Sequence, residues 1–193
     1  MERFSLAIKR FDEANRQDPN TEVFEGKTCP KELLYARRMT RRLERLAPEA
    51  SEVLRLAARC QHIRRWEIPR DRYPGNRVGY LKWRTDLYAF HAQKAGDILR
   101  EVGYDRRSIE RVQELLHKRN VKSDPDMQML EDVICLVFLE SYFTDFSRRH
   151  EEPKVLSIIR KTWKKMSEQG RKAALGLDLP EAGRALINRA LTS

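Results

Sequence analysis

The sequence predicts an all-α fold, a single-domain helical bundle over residues 1–193 with a central buried helix near 130–147. Three observations predict it. Apolar residues recur at three- and four-residue spacing along most of the chain. Leu130 to Phe146 is apolar nearly all round, as suits a helix in the middle of a bundle. No stretch alternates apolar and polar residues convincingly, as a half-buried strand does. The 193 residues suit one domain of ordinary size. A charged fraction of 35% against 40% hydrophobic fits an aliphatic core under heavily charged outer faces.

Phe4, Ala7, Ile8 and Phe11 predict a first amphipathic helix near 2–16, and Asp18-Pro19-Asn20 starts a loop. Gly26-Lys27-Thr28 has the ending of a P-loop, but Thr21 stands where its first glycine belongs. No buried strand precedes it, so a plain loop is expected. Pro30 suits the first position of a second helix, lined by Leu33, Leu34, Leu43 and Leu46. Pro48 opens a third, with Val53, Leu54, Leu56, Ala57 and Cys60 inside and His62 at its end. A fourth starts near Gly79 or Tyr80, carries Leu87, His91, Ala95 and Leu99, and stops at Gly103. Asp105 or Ser108 caps a fifth with Ile109, Val112, Leu115 and Leu116, and Asn120 to Asp124 is a turn. The central helix ends in Arg148, Arg149 and His150, which suit its dipole. A seventh helix near 152–168 and a short one after Pro180 complete the chain.

The net charge of +10 favours anionic partners. Cys29, Cys60 and Cys135 form no CxxC pair, which indicates neither a zinc ribbon nor a disulfide framework; a reducing cytoplasm is the simplest home. The N-terminus lacks the apolar core of a signal peptide, and the longest apolar run, Val133 to Leu139, is too short to span a bilayer, so no membrane partner is expected. Oligomeric state is not legible.

Gln61 to Arg84, QHIRRWEIPRDRYPGNRVGYLKWR, is the least generic stretch. Arg64, Arg65, Arg70, Arg72, Arg77, Lys82 and Arg84 alternate with Trp66, Tyr73, Tyr80 and Trp83, and Pro69, Pro74, Gly75 and Gly79 break any helix. Aromatic content argues against disorder. Arginine's planar fork suits phosphate and carboxylate oxygens. The expectation is an ordered anion-binding loop beside a pocket holding His62; the plainer alternative is a solvated basic loop whose tryptophans pack on the core.

Four polar residues fall where a helical core buries them: His62, His91, His117 and Asp132. A buried carboxylate needs a cation or strong donors. Asp132 is therefore expected to meet a metal shared with the histidines, or an arginine of the loop. Neutral imidazoles with a carboxylate suit a divalent transition metal, Mn, Fe, Zn or Co. The alternative is that each histidine is a hydrogen-bonded core residue and no metal is held.

VLRLAARCQHI, AFHAQKAGDILREVGYDRRSIERVQELLHK and LEDVICLVFLE, in that order, resemble the helices of the HD-domain superfamily of metal-dependent phosphohydrolases. The resemblance implies an HD-like core at about 30–148, with C-terminal helices over 151–193. It makes His62 the histidine of the pair, His91 and His117 accessory histidines, and Asp132 the closing ligand. Ile63 stands where the pair's aspartate belongs and Tyr35 where the first histidine belongs, so two usual ligands are missing. YARRM, QHIRRWEIPR, YPGNRVGYLKWR and LEDVICLVFLE are more closely similar to domain of unknown function 4202, over nearly the full length. The name glutamyl-tRNA synthetase, sometimes attached to that family, finds no support here: KKMSEQ is only loosely like a class I signature and no Rossmann-like pattern is present.

These resemblances imply hydrolysis of a phosphoester in a nucleotide or small phosphorylated metabolite. A metal at His62, His91 and Asp132 activates water. Glu131 is a base or supporting residue on another helix face. Arg64, Arg65, Arg70, Arg77, Lys82 and Arg84 clamp phosphate, and Trp66, Tyr73 or Trp83 stacks on a base. The alternative is a metal-free helical protein binding RNA, DNA or another anion through residues 64–84, where cations interleaved with aromatics suit single strands. Arg37, Arg38, Arg41, Arg42 and Arg45 extend that track.

Overall fold

A computed structural model describes residues 2–118 and 123–192. The chain is predominantly α-helical and divides into two compact units, Met1–Asn120 and Val121–Ser193.

Unit 1 holds α1 (Arg3–Arg16), α2 (Lys31–Leu46), α3 (Glu52–Cys60), α4 (Arg77–Val102) and α5 (Arg106–His117). Phe11, Met39, Leu43, Leu56, Leu99, Leu115 and Leu116 are fully buried, so one apolar face of every helix meets the same core. α4 packs along α5, and α3 lies against α1, α2 and α5. Arg59 of α3 fastens Asp12 of α1 through Nε to Oδ1 at 2.8 Å and Nη2 to Oδ2 at 2.7 Å. This bidentate, largely buried pair fixes the end of α3 from which His62 follows.

Four expectations for this unit change. The plain loop around Gly26 is a hairpin: β1 (Thr21–Phe24) pairs antiparallel with β2 (Lys27–Pro30). Glu25 and Gly26 both have positive φ, 50° and 73°, the geometry of a two-residue hairpin turn. Pro30 closes β2 and sits just before α2. The third helix starts after Ser51, whose hydroxyl accepts from the Leu54 N–H, and not at Pro48. α4 begins at Arg77 because Asn76 caps it through the Gly79 N–H at 2.8 Å. A Cβ at Gly79 would lie 2.2 Å from the Pro74 carbonyl oxygen, so only glycine lets the loop fold this tightly onto the helix.

Unit 2 holds α6 (Pro125–Ser141), α7 (Phe143–Arg148), α8 (Glu152–Lys165), α9 (Glu168–Leu175) and α10 (Glu181–Thr192). Asp124 caps α6 through the Asp126 and Met127 N–H groups. The expected central helix thus starts earlier, and it breaks at Tyr142, where α7 takes over. Met127, Leu130, Val133, Leu136 and Val137 of α6 are fully buried. α10 packs on α8, and α9 on α6. Of the expected turn at Asn120 to Asp124, Asn120, Val121 and Lys122 lie outside the described residues.

Candidate functional site: a buried imidazole–carboxylate cluster

Three elements of unit 1 build the cluster. The first turn of α2 supplies Glu32 and Tyr35, the turn after α3 supplies His62 and Arg65, and the middle of α4 supplies His91. Glu32 is placed from behind: Asp18 Oδ2 accepts its backbone N–H at 2.9 Å. The His62 and His91 rings lie 5.8 Å apart between centroids, and Tyr35 stacks on His62 at 4.1 Å.

The hydrogen bonds assign the protons. His91, 2% exposed, donates from Nδ1 to the Ile63 carbonyl oxygen at 2.8 Å. Its Nε2 is therefore a bare lone pair, buried and without a partner among the described residues. At His62, Arg65 donates from Nη1 to Nε2 at 3.2 Å, so the ring proton sits on Nδ1, which faces Glu32 Oε2 at 3.4 Å. Burial holds both imidazoles well below the usual histidine range. Arg65, Lys118 and Lys31 add to the effect at His62; the His62 charge, Arg65 and Lys118 add to it at His91. Both rings are thus neutral at neutral pH. Burial outweighs Arg65 and Lys31 at Glu32 and pushes its carboxyl up to about 7. The result is two neutral imidazoles and a carboxyl poised near neutrality inside a cationic field.

The basic loop is ordered, and its arginines divide. Arg70 donates to the Tyr73 and Pro74 carbonyls at 2.9 and 2.7 Å, and Arg72 to the Glu67 carbonyl at 3.2 Å. Trp83 Nε1 donates to the Ile68 carbonyl at 2.9 Å, and Tyr73 to Asp86 at 2.9 Å. Arg64 pairs with Glu67 and Gln17 and lies 5.8 Å over Trp66. Arg65, 4.9 Å over Trp83, is the loop arginine turned to the imidazoles. Arg77 is exposed at the start of α4, and Lys82 pairs with Asp86 at 2.9 Å. Arg84 bonds the Tyr88 hydroxyl and lies between the Tyr80 and Tyr88 rings.

Of the expected ligands, His62 and His91 come together. His117 closes α5, half-buried. The charge of its neighbour Lys118, like that of Arg65, reaches both imidazoles. Asp132 and Glu131 belong to unit 2. Within that unit Asp132 has protein donors of its own. Its Oδ1 accepts the Ser167 N–H at 2.8 Å and Gln128 Nε2 at 3.1 Å, and its Oδ2 accepts the Ser167 hydroxyl. Three donors satisfy the buried carboxylate and tie α6 to the start of α9. Glu131 pairs with Lys165 at 3.1 Å. Among the described residues, no group of three or more His, Cys, Asp or Glu is placed to hold a metal ion.

Tyr35, which stands where the resembled family has its first histidine, does lie at the cluster, stacked on His62. Glu32 completes the cluster without having been expected there. Its signal was present: Glu32, Tyr35, Ala36, Met39 and Leu43 form one buried stripe of α2, so an acidic residue heads an inward face.

The family model described as domain of unknown function (DUF4202) matches residues 5–187. No curated protein and no solved structure matches significantly.

Proposed function

The chain belongs to the DUF4202 family, a membership that sets no activity, and from that premise we propose that unit 1 binds a nucleotide or another small phosphorylated metabolite and hydrolyses its phosphoester at the His62–His91 cluster. The observation that carries this reading is the His91 Nε2 lone pair, buried, locked as an acceptor and without a partner among the described residues. A buried polar atom left unpaired asks for a ligand or a water. Arg65, Lys31 and Lys118 supply the positive field that a phosphate needs. Water attacks phosphorus as the ester P–O bond breaks. The water's proton passes to His91 Nε2, and the departing alkoxide is protonated from solvent.

The likeness to HD phosphohydrolases belongs to this reading and implies a divalent metal, but the donors do not fit one. His62 Nε2 faces the Arg65 guanidinium, which repels a second cation. Asp132 is already satisfied by Ser167 and Gln128. No step is therefore routed through a metal. The test is a phosphoester panel assayed with chelator, then with added Mn or Co. Turnover in chelator that is lost in His91→Leu is expected. Silence across the panel under every condition contradicts the reading, and an absolute need for metal contradicts the metal-free mechanism.

One observation favours a second reading, a single-stranded nucleic-acid surface. Tyr80, Arg84 and Tyr88 recur every four residues on α4, and Lys118 lies 5.5 Å over Tyr88. Aromatics alternating with cations suit stacked bases. Retention on single strands that falls steeply with salt, and less steeply in Arg84→Ala, supports it; salt-independent binding contradicts it.

A further inference from the structure

We propose that Glu32 is a positioning residue for His62: it holds the imidazole proton on Nδ1, which keeps Nε2 an acceptor and so retains the Arg65 guanidinium at the cluster. The geometry is a chain of three groups. Glu32 Oε2 lies 3.4 Å from His62 Nδ1, and His62 Nε2 lies 3.2 Å from Arg65 Nη1. Arginine has no acceptor to offer, so it approaches Nε2 only while that nitrogen is bare. A neutral imidazole carries one ring proton, and a carboxylate oxygen beside Nδ1 decides where it sits.

Besides His62, the Glu32 carboxyl meets Arg65 only at longer range, as an ion pair without a hydrogen bond. Glu32 is 7% exposed, its backbone N–H is capped by Asp18, and Arg65 Nε is 3.9 Å from its Oε1, beyond hydrogen-bond distance. Tyr35 covers one face of the imidazole in a nearly parallel stack, at 10° between planes, which restrains the ring from tilting away from the carboxylate. Trp83 backs the guanidinium at 4.9 Å, so the far end of the chain is also packed. His91 obeys the same rule with a different acceptor, the Ile63 carbonyl, and serves as an internal reference. With the Glu32 acceptor removed, Arg65 alone opposes a proton on His62 Nε2, and a partly exposed guanidinium can turn to solvent more cheaply than a largely buried Nδ1–H can stay without an acceptor. Donor then faces donor, and Arg65 must swing away.

This inference rests on the proposed anion site only for what Arg65 is held to bind; the tautomer itself does not depend on it. The experiment is a long-range proton–nitrogen spectrum of the imidazoles in the full chain at neutral pH. In the wild type, His62 is expected as the Nδ1–H form. Glu32→Gln, which keeps an acceptor oxygen, retains that form. Glu32→Ala moves the His62 proton to Nε2, while His91 stays Nδ1–H and reports that the fold is intact. A wild-type His62 in the Nε2–H form overturns the proposal, as does a His62 tautomer unchanged in Glu32→Ala. Should Glu32→Ala not fold, Glu32→Met and the wild-type spectrum decide on the same terms. A second arm titrates inorganic phosphate. Affinity is expected to fall about tenfold or more in Glu32→Ala, the worth of a hydrogen bond to a charged group. That loss should vanish in a His62→Phe background; persistence there means Glu32 acts on Arg65 directly and overturns the relay. Wild-type protein that ignores phosphate sinks the anion site and leaves the tautomer result standing.

Discussion

Replacing Glu32 by glutamine should stabilise the protein above neutral pH and have its smallest effect in acid. In the folded chain the Glu32 carboxyl takes its proton at about 7, against an ordinary 4.5, because burial outweighs the attraction of Arg65 and Lys31. Between those two values the folded state holds a proton that the unfolded state has released. Stability therefore falls as pH rises through that window and levels off above it. The gap, at about 1.36 kcal/mol per pH unit, amounts to about 3 kcal/mol, with little discount for solvent because Glu32 is 7% exposed. Glutamine fills the same volume with no charge to bury. The assay is urea unfolding of both proteins at half-unit steps from pH 5 to 8. The stability difference should grow in favour of glutamine across that range and reach a plateau near pH 8. His62 and His91 act in the opposite sense, weakening the fold as pH falls below the ordinary histidine value of 6.5, but they are common to both proteins and cancel in the difference. A flat difference, or glutamine growing worse as pH rises, would mean that Arg65 and His62 hold the carboxylate ionised, and the electrostatic account of the cluster would be wrong.

Arg59→Ala removes one partner of the bidentate pair with Asp12 and strands a largely buried carboxylate. It should cost about 3–5 kcal/mol in urea unfolding, and a loss below about 1 kcal/mol contradicts the assignment. Gly170→Ala puts a Cβ 2.6 Å from Asp132 Cγ, where the carboxylate is held by Ser167. Thermal unfolding should show a loss of about 1–3 kcal/mol, and unchanged stability would deny the close approach. Lys82→Met breaks an exposed pair with Asp86 and should leave the urea midpoint unchanged within error, whereas a clear drop would deny that the pair is solvent-screened.

Helices with a clear apolar stripe were legible: α1 through Phe4, Ala7 and Phe11, and α5 through Ile109, Val112 and Leu116. The hairpin was not, because Thr21 to Phe24 is largely solvent-facing and leaves no apolar alternation to read. The break at Tyr142 was hidden for the opposite reason: Phe143 is fully buried in α7, so apolar content runs on past the end of α6. In the cluster, His62 and His91 could be named because a histidine on an apolar stripe is conspicuous. Glu32 could not, since an acidic residue in a first helical turn has an ordinary explanation in the helix dipole. Asp132 shows the converse. Its buried position was legible, but its partner Ser167 lies 35 residues away in a segment read as the end of one long helix. Only the break before α9 turns that N–H and hydroxyl toward the carboxylate.

The central claim is that a bare, buried imidazole nitrogen stands in a cationic field made for phosphate. Its most direct test is the His91 Nε2 resonance, followed in the full chain while inorganic phosphate is added at neutral pH. The account predicts a saturable shift of that resonance, weakened in Arg65→Met. A His91 Nε2 signal that stays unmoved through the titration, in a protein whose spectrum is otherwise that of the folded chain, would contradict it.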